Sequence, residues 1–191
     1  MRTTTAIAVA AAVALGGLVG AFALRTDNPV DNSGAVITVP HPVWTEVQWP
    51  FLMDQWGKGK AFQCKAEDCG TEVNLYLRAK IGFCNCTTGV ADDEELERMS
   101  DFDLLGGELF PLGAGRPILV AWMNGRSRAY TLTARNRPGQ TAISVAFNDH
   151  CDVIVATIVL PNDRPAIIEP SVIEFLNDET VLRWAKVTLG L

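Results

Sequence analysis

The chain has 191 residues, 48% hydrophobic and 20% charged, a composition that excludes disorder over most of its length and supplies enough chain for one domain with its own core. Sixteen basic residues stand against 22 acidic ones for a net charge of −6. That balance excludes a general nucleic-acid or anionic-membrane binder, because both need a basic footprint.

Residues Ala6–Leu24 are uncharged and mostly apolar, with Arg2 before them and Arg25 and Asp27 after. A run of this length could span hydrocarbon, but Ala, Gly and Val drive insertion weakly, and Ala21-Phe22-Ala23 matches the small-x-small pattern cut by signal peptidase. The expectation is a signal peptide or uncleaved signal anchor over 1–24, so that inner-membrane anchoring through residues 6–24 is one outcome. Residues 25–35 read as a polar tether, and 36–191 as a single extracytoplasmic domain, periplasmic or membrane-anchored.

Within the domain, the alternation of Val43, Thr45, Val47 and Trp49 with Trp44, Glu46 and Gln48 predicts a first strand ending at Pro50. Two further strands are expected at Ala61–Cys64 and Cys69–Ala79, with Lys65–Asp68 as their hairpin loop. A helix is predicted over Asp92–Leu105. Asp92 and Glu95 hold N-cap and N3 positions, acids crowd the first turn where the helix dipole favours them, and Gly106-Gly107 supplies a stop. Those acids have a structural explanation in the dipole, and their spacing does not match a calcium loop.

The second half predicts an antiparallel meander. Pro117–Met123 and Arg126–Thr133 flank Asn124-Gly125, a strong two-residue hairpin signal, and Pro138-Gly139 marks a turn within Arg135–Gln140. Strands Thr141–Phe147 and Cys151–Leu160 follow, and a turn at Asn148-Asp149 would pair Ala146 with Cys151 and Ser144 with Val153. One face would then carry Ala142, Ser144, Ala146, Cys151, Val153 and Val155, small enough for a helix to pack closely. Ser171-Val-Ile-Glu174 has capping-box spacing and places a C-terminal helix from about Ser171, whereas Asp178–Leu189 suits helix or strand. The architecture expected is α+β: a meander-rich antiparallel sheet with one or two helices on one face.

The five cysteines carry the most chemical information. In an exported chain Cys64, Cys69, Cys84, Cys86 and Cys151 are disulfide candidates. Cys64 and Cys69 flank the expected loop, and Cys84 or Cys86 could reach Cys151 and leave one thiol free. Cys64, Cys69, Cys84 and Cys86 could instead form a four-thiolate zinc or copper site, though neither half has the common C-x2-C spacing. Cys84-Asn85-Cys86 could also act as a thiol-redox pair, because residues two apart on a strand share a face.

Catalytic constellations are scarce. His150 and Cys151 are sequence neighbours, which on a strand point to opposite faces, and the sequence contains neither G-x-S-x-G nor H-E-x-x-H. Residues 109–148 carry five arginines and no acid, while 92–108 carry eight acids and one arginine. Arg116, Arg126 and Arg128 are therefore candidates for binding an anion or an acidic partner. The leading expectation is a non-catalytic, cofactor-free envelope protein that binds or assembles with another envelope protein through a sheet edge or the Arg-bearing hairpin. The alternative is a thiol-redox or metal-handling protein using Cys84 and Cys86.

Overall fold

The computed structural model describes residues 42–134, 137–161 and 164–191. The leader, the tether and the expected domain start at Val36 lie outside them. The described residues form an α+β domain around one antiparallel sheet. Its strands are β1 (Trp44–Val47), β2 (Lys60–Cys64), β3 (Val73–Lys80), β4 (Glu108–Pro111), β5 (Arg116–Val120), β6 (Met123–Ala134), β7 (Arg137–Asp149) and β8 (Asp152–Pro161). Their spatial order is β1-β2-β3-β8-β7-β6-β4, with β5 also paired to β6. The helices are α1 (Ala66–Cys69), α2 (Asp93–Met99), α3 (Pro165–Leu176) and α4 (Glu179–Leu189).

Period-two alternation in the central strands gives the sheet two unlike faces. Leu75 and Leu77 of β3, Ile143, Val145 and Phe147 of β7, and Ile154, Ala156 and Ile158 of β8 point to one face, where Ile168, Val172 and Leu176 of α3 and Val181 and Ala185 of α4 cover them. Ala146, Val153 and Val155 point to the other, where Leu96 and Met99 of α2 cover them. The helices therefore lie on both faces, not on one. Small residues do admit a close helix, as expected of Ala146 and its neighbours, but α2 occupies that position and the C-terminal helices take the opposite face.

Two hairpin turns sit away from the positions their local signals favour. Asn124 and Gly125 are strand residues, paired with Leu119 and Ile118 on one side and with Asn148 and Phe147 on the other. The turn falls instead at Ala121-Trp122, where Ala121 takes φ 52° and its N–H donates to Asn177 Oδ1 at 2.7 Å. Glycine at 125 serves close packing, since a Cβ there would lie 2.3 Å from the Ala146 carbonyl oxygen. The β7–β8 turn likewise moves from Asn148-Asp149 to His150-Cys151, with Ala146 opposite Val155 and Ser144 opposite Thr157. Asn148 stays in the strand because its side chain is tied to the neighbouring loop: it accepts from Val90 N–H at 3.2 Å and donates to the His150 carbonyl at 3.0 Å. The change of register is even, so every side chain keeps its face. Cys151 alone leaves the expected face, because it is now in the turn.

Four other elements differ from expectation. Lys65–Asp68 is not a simple loop: α1 closes one helical turn there, and β3 starts at Val73 instead of Cys69. The helix expected over Asp92–Leu105 keeps its Asp92 cap on Glu95 N–H but stops at Met99 and resumes as a 3₁₀ turn over Phe102–Leu105. Residues 137–140, expected in a turn, belong to β7, and 135–136 lie outside the described residues. The C-terminal helix begins at Pro165, with Ser171 inside it. Pro170 removes one backbone hydrogen bond, which burial of Ile168, Val172 and Leu176 offsets. Asp178–Leu189 resolves as α4, whose cap Asp178 accepts from Thr180 N–H.

Candidate functional site

Four of the five cysteines form two bridges, Cys64–Cys69 and Cys86–Cys151, and Cys84 is free and buried. The first bridge closes the short excursion through α1, and the second ties the loop after β3 to the β7–β8 turn. Cys84 rests against that turn, its N–H donating to the Cys151 carbonyl at 3.1 Å and its thiol to the His150 carbonyl at 3.2 Å. Burial pushes the Cys84 thiol pKa up, favouring the protonated, weakly nucleophilic form. Cys84 and Cys86 thus have different environments and do not form a pair. The four thiols weighed as a metal site are divided between separate bridges and the buried thiol, and no cluster of three or more His, Cys, Asp or Glu suited to a metal occurs among the described residues.

The arginines singled out by charge imbalance face acids of the same chain. Arg126 Nε pairs with Asp93 at the start of α2, and its Nη2 donates to the Gly115 carbonyl at 3.0 Å. Arg128 Nη1 donates to Glu97 at 2.8 Å and lies 3.6 Å from Asp93. Arg116 Nε donates to Glu169 of α3 at 2.8 Å. The Gly115 N–H reaches both Asp93 oxygens, and despite partial burial this contact, together with Arg126, holds the Asp93 carboxyl below its ordinary pKa. Arg126 and Arg128 of β6 and the acids Asp93 and Glu97 of α2 are therefore complementary sides of one internal contact, which fixes the N-terminal part of α2 on the sheet.

The other end of α2 is held by β3. Arg78 and Lys80, two residues apart and on the same strand face, are almost fully buried with side-chain exposures of 4% and 5%. Asp101, in the break between α2 and the 3₁₀ turn, receives Arg78 Nε at 3.0 Å and Lys80 Nζ at 2.9 Å, and Arg78 Nη2 completes a forked contact. Lys80 Nζ also donates to the Met99 carbonyl at 2.5 Å, a cation placed where the helix dipole is negative. Ser100 Oγ shares a hydrogen bond with Ser144 Oγ of β7 at 2.5 Å. These contacts explain why the helix stops at Met99: Ser100 and Asp101 are drawn toward the sheet.

A cleft of about 300 Å³ opens onto this network, lined among others by Asp54, Trp56, Arg78, Lys80, Asp101 and Asp103. Trp56 packs edge-on against Phe83, and Lys80 Nζ lies 5.6 and 5.5 Å from the two ring centroids. Arg78 Nη1 donates to Asp54 Oδ2 at 2.5 Å, while Asp54 Oδ1 accepts from Trp56 N–H at 2.8 Å. Partial burial acts to raise the Asp54 pKa, but the Arg78 and Trp56 hydrogen bonds outweigh it and hold the carboxyl below its ordinary value. Burial also acts against the Arg78 charge, yet Asp101 and Asp54 raise its pKa further, so it stays cationic. Sequence reasoning missed this cluster. Its signal was the row Asn74, Tyr76, Arg78 and Lys80 on the polar side of β3, in a sheet covered on both faces.

A second concavity of about 430 Å³ lies beside β1, lined by Pro42, Val43, Trp44, Phe62, Phe175 and Asp178 among others. Trp44 stacks on Phe175 at 4.8 Å, and Phe62 meets the same ring edge-on at 4.9 Å. The Trp44 indole nitrogen is buried with no hydrogen-bond partner among the described residues. Val43, which also lines the concavity, and Val47 are exposed. No helix among the described residues is long and apolar enough to cross a membrane. No family model matches the chain, and no curated protein is significantly similar to it.

Proposed function

We propose that the protein is an exported, non-catalytic envelope component that binds another envelope protein along the β1 edge. The observation that carries this reading is the position of β1. Among the described residues it is an edge strand of the sheet, paired on one side only, with exposed Val43 and Val47 beside Trp44, which stacks on Phe175. An unpaired edge can accept an extended segment through main-chain hydrogen bonds, while an adjoining aromatic groove selects its side chains. Four residues make a short ladder, so the groove supplies most of the specificity. The Arg-bearing hairpin supports the choice indirectly, since Arg116, Arg126 and Arg128 already have carboxylate partners. Two bridges support an oxidising compartment.

The test is photo-crosslinking in the native cell, with a photoreactive residue at Val47 and a control at Val187, which is exposed on α4. The expected result is one discrete adduct from position 47 that is absent from position 187 and is lost when Trp44→Ala is added. Equal labelling from both positions, or none from 47, contradicts the edge reading. Intact mass of the recovered protein tests export separately, with loss of residues 1–23 and four bridged cysteines expected.

A further inference from the structure

We propose that the cleft over Arg78 and Lys80 is a binding site for a small organic monocarboxylate, and that Asp54 occupies the ligand's place when the site is empty of it. This site is distinct from the β1 edge and does not depend on that reading. Arg78 and Lys80 are two cations with side-chain exposures of 4% and 5%, and the fixed carboxylate buried with them is Asp101, at 4%. One buried anion neutralises one of the two cations. The second carboxylate comes from Asp54, whose side chain is 42% exposed and lies in a loop where Leu52 and Met53 are 91% and 68% exposed.

The two carboxylates are held differently. Asp101 is gripped by three donor nitrogens from two side chains of β3, whereas Asp54 receives one guanidinium nitrogen and the N–H of Trp56 in its own loop. A free carboxylate could therefore replace Asp54 on Arg78 Nη1 without disturbing Asp101. A planar guanidinium suits a carboxylate in its plane, and a buried site strengthens that contact relative to water. The cleft holds about 300 Å³, which fits a short-chain acid with its hydrocarbon against Trp56 and Leu104. Asp103, an exposed carboxylate that also lines the cleft, opposes each added negative charge, so a monoanion is favoured over a dianion.

The experiment uses the full chain and butyrate, followed by the indole N–H resonance of Trp56 and the Nε–H resonance of Arg78, with sodium chloride at matched ionic strength as control. Wild type should show saturable shifts of both resonances with butyrate and none with chloride. Asp54→Asn removes the competing charge at a half-exposed loop position, where the fold should tolerate it, and should bind butyrate about tenfold more tightly because the competent state no longer has to displace Asp54. Succinate should bind Asp54→Asn more weakly than butyrate. The proposal is overturned if butyrate and chloride give the same shifts, if neither protein saturates, or if Asp54→Asn binds no more tightly than wild type.

Discussion

The two faces of the sheet are built from the same strands by different means. The face under α3 and α4 is mainly apolar, with Leu75, Ile143, Val145, Phe147 and Ile158 all fully buried, and its cohesion comes from apolar burial. The face under α2 has only a small apolar patch at its centre and charged groups at both ends: Arg126 and Arg128 on Asp93 and Glu97, Arg78 and Lys80 on Asp101 and the Met99 carbonyl. A seven-residue helix too short to stand alone is thus fixed on a sheet by pairing both its ends. It also makes one face a source of stability and the other a place where buried charge meets a cleft.

The largest expected effect is on the charged face. Asp101→Ala strands Arg78 and Lys80 without their buried counter-ion and should cost about 3–5 kcal/mol in urea unfolding. Replacing all three together, Arg78→Met, Lys80→Met and Asp101→Leu, should recover most of that loss, because the penalty comes from unpaired charge. On the apolar face Ile158→Ala should cost about 2–5 kcal/mol by leaving a cavity, with no such rescue. If the triple replacement stays as unstable as Asp101→Ala, the two faces do not differ in the way described.

The bridges come next. Cys86–Cys151 spans 65 residues and Cys64–Cys69 spans 5. Loop-closure entropy then gives about 4 kcal/mol for the first and about 2 for the second when each pair is changed to Ser. A reversed order would mean that α1 needs its bridge more than the α2 face does.

Acid should loosen the α2 face first. The Asp93 and Asp54 carboxyls titrate below their unfolded values, so the stability they contribute is present above about pH 4 and is lost as the pH falls through their folded values. Asp93→Asn should flatten the stability profile below about pH 4, and an unchanged profile would remove the N-terminal clamp from the account. The smallest effect belongs to Ser144→Ala, about 0.5–1.5 kcal/mol, since Ser100 keeps its 2.7 Å hydrogen bond to the Leu96 carbonyl.

Much of this division was legible as alternation. The parity of β3, β7 and β8 assigns each side chain to a face whatever the register, so the face carrying Ala142, Ser144 and Ala146 was readable although the turn beside it was misplaced. The turns were not readable, because Asn177, the residue that caps the end of α3, decides the one at Ala121, and Asn148 and the Cys86–Cys151 bridge decide the one at His150. Local preference for Asn-Gly yields to such contacts. Charge imbalance did mark Arg126 and Arg128, but the sequence could not show that their acidic partner was the helix of the same chain. Asp101 lies 23 residues beyond Arg78, and only the packing of α2 brings them together. β4 was hidden because four residues among glycines and prolines carry no period.

Charge holds the α2 face of the sheet, and burial holds the other. Hydrogen exchange at pH 7 and at about pH 3, corrected for intrinsic rates, tests this claim directly. Amides of Asp93–Met99 should lose protection in acid while those of β7 and β8 keep theirs. Simultaneous loss in α2 and the central strands would contradict the claim, because it would mean that one core holds both faces.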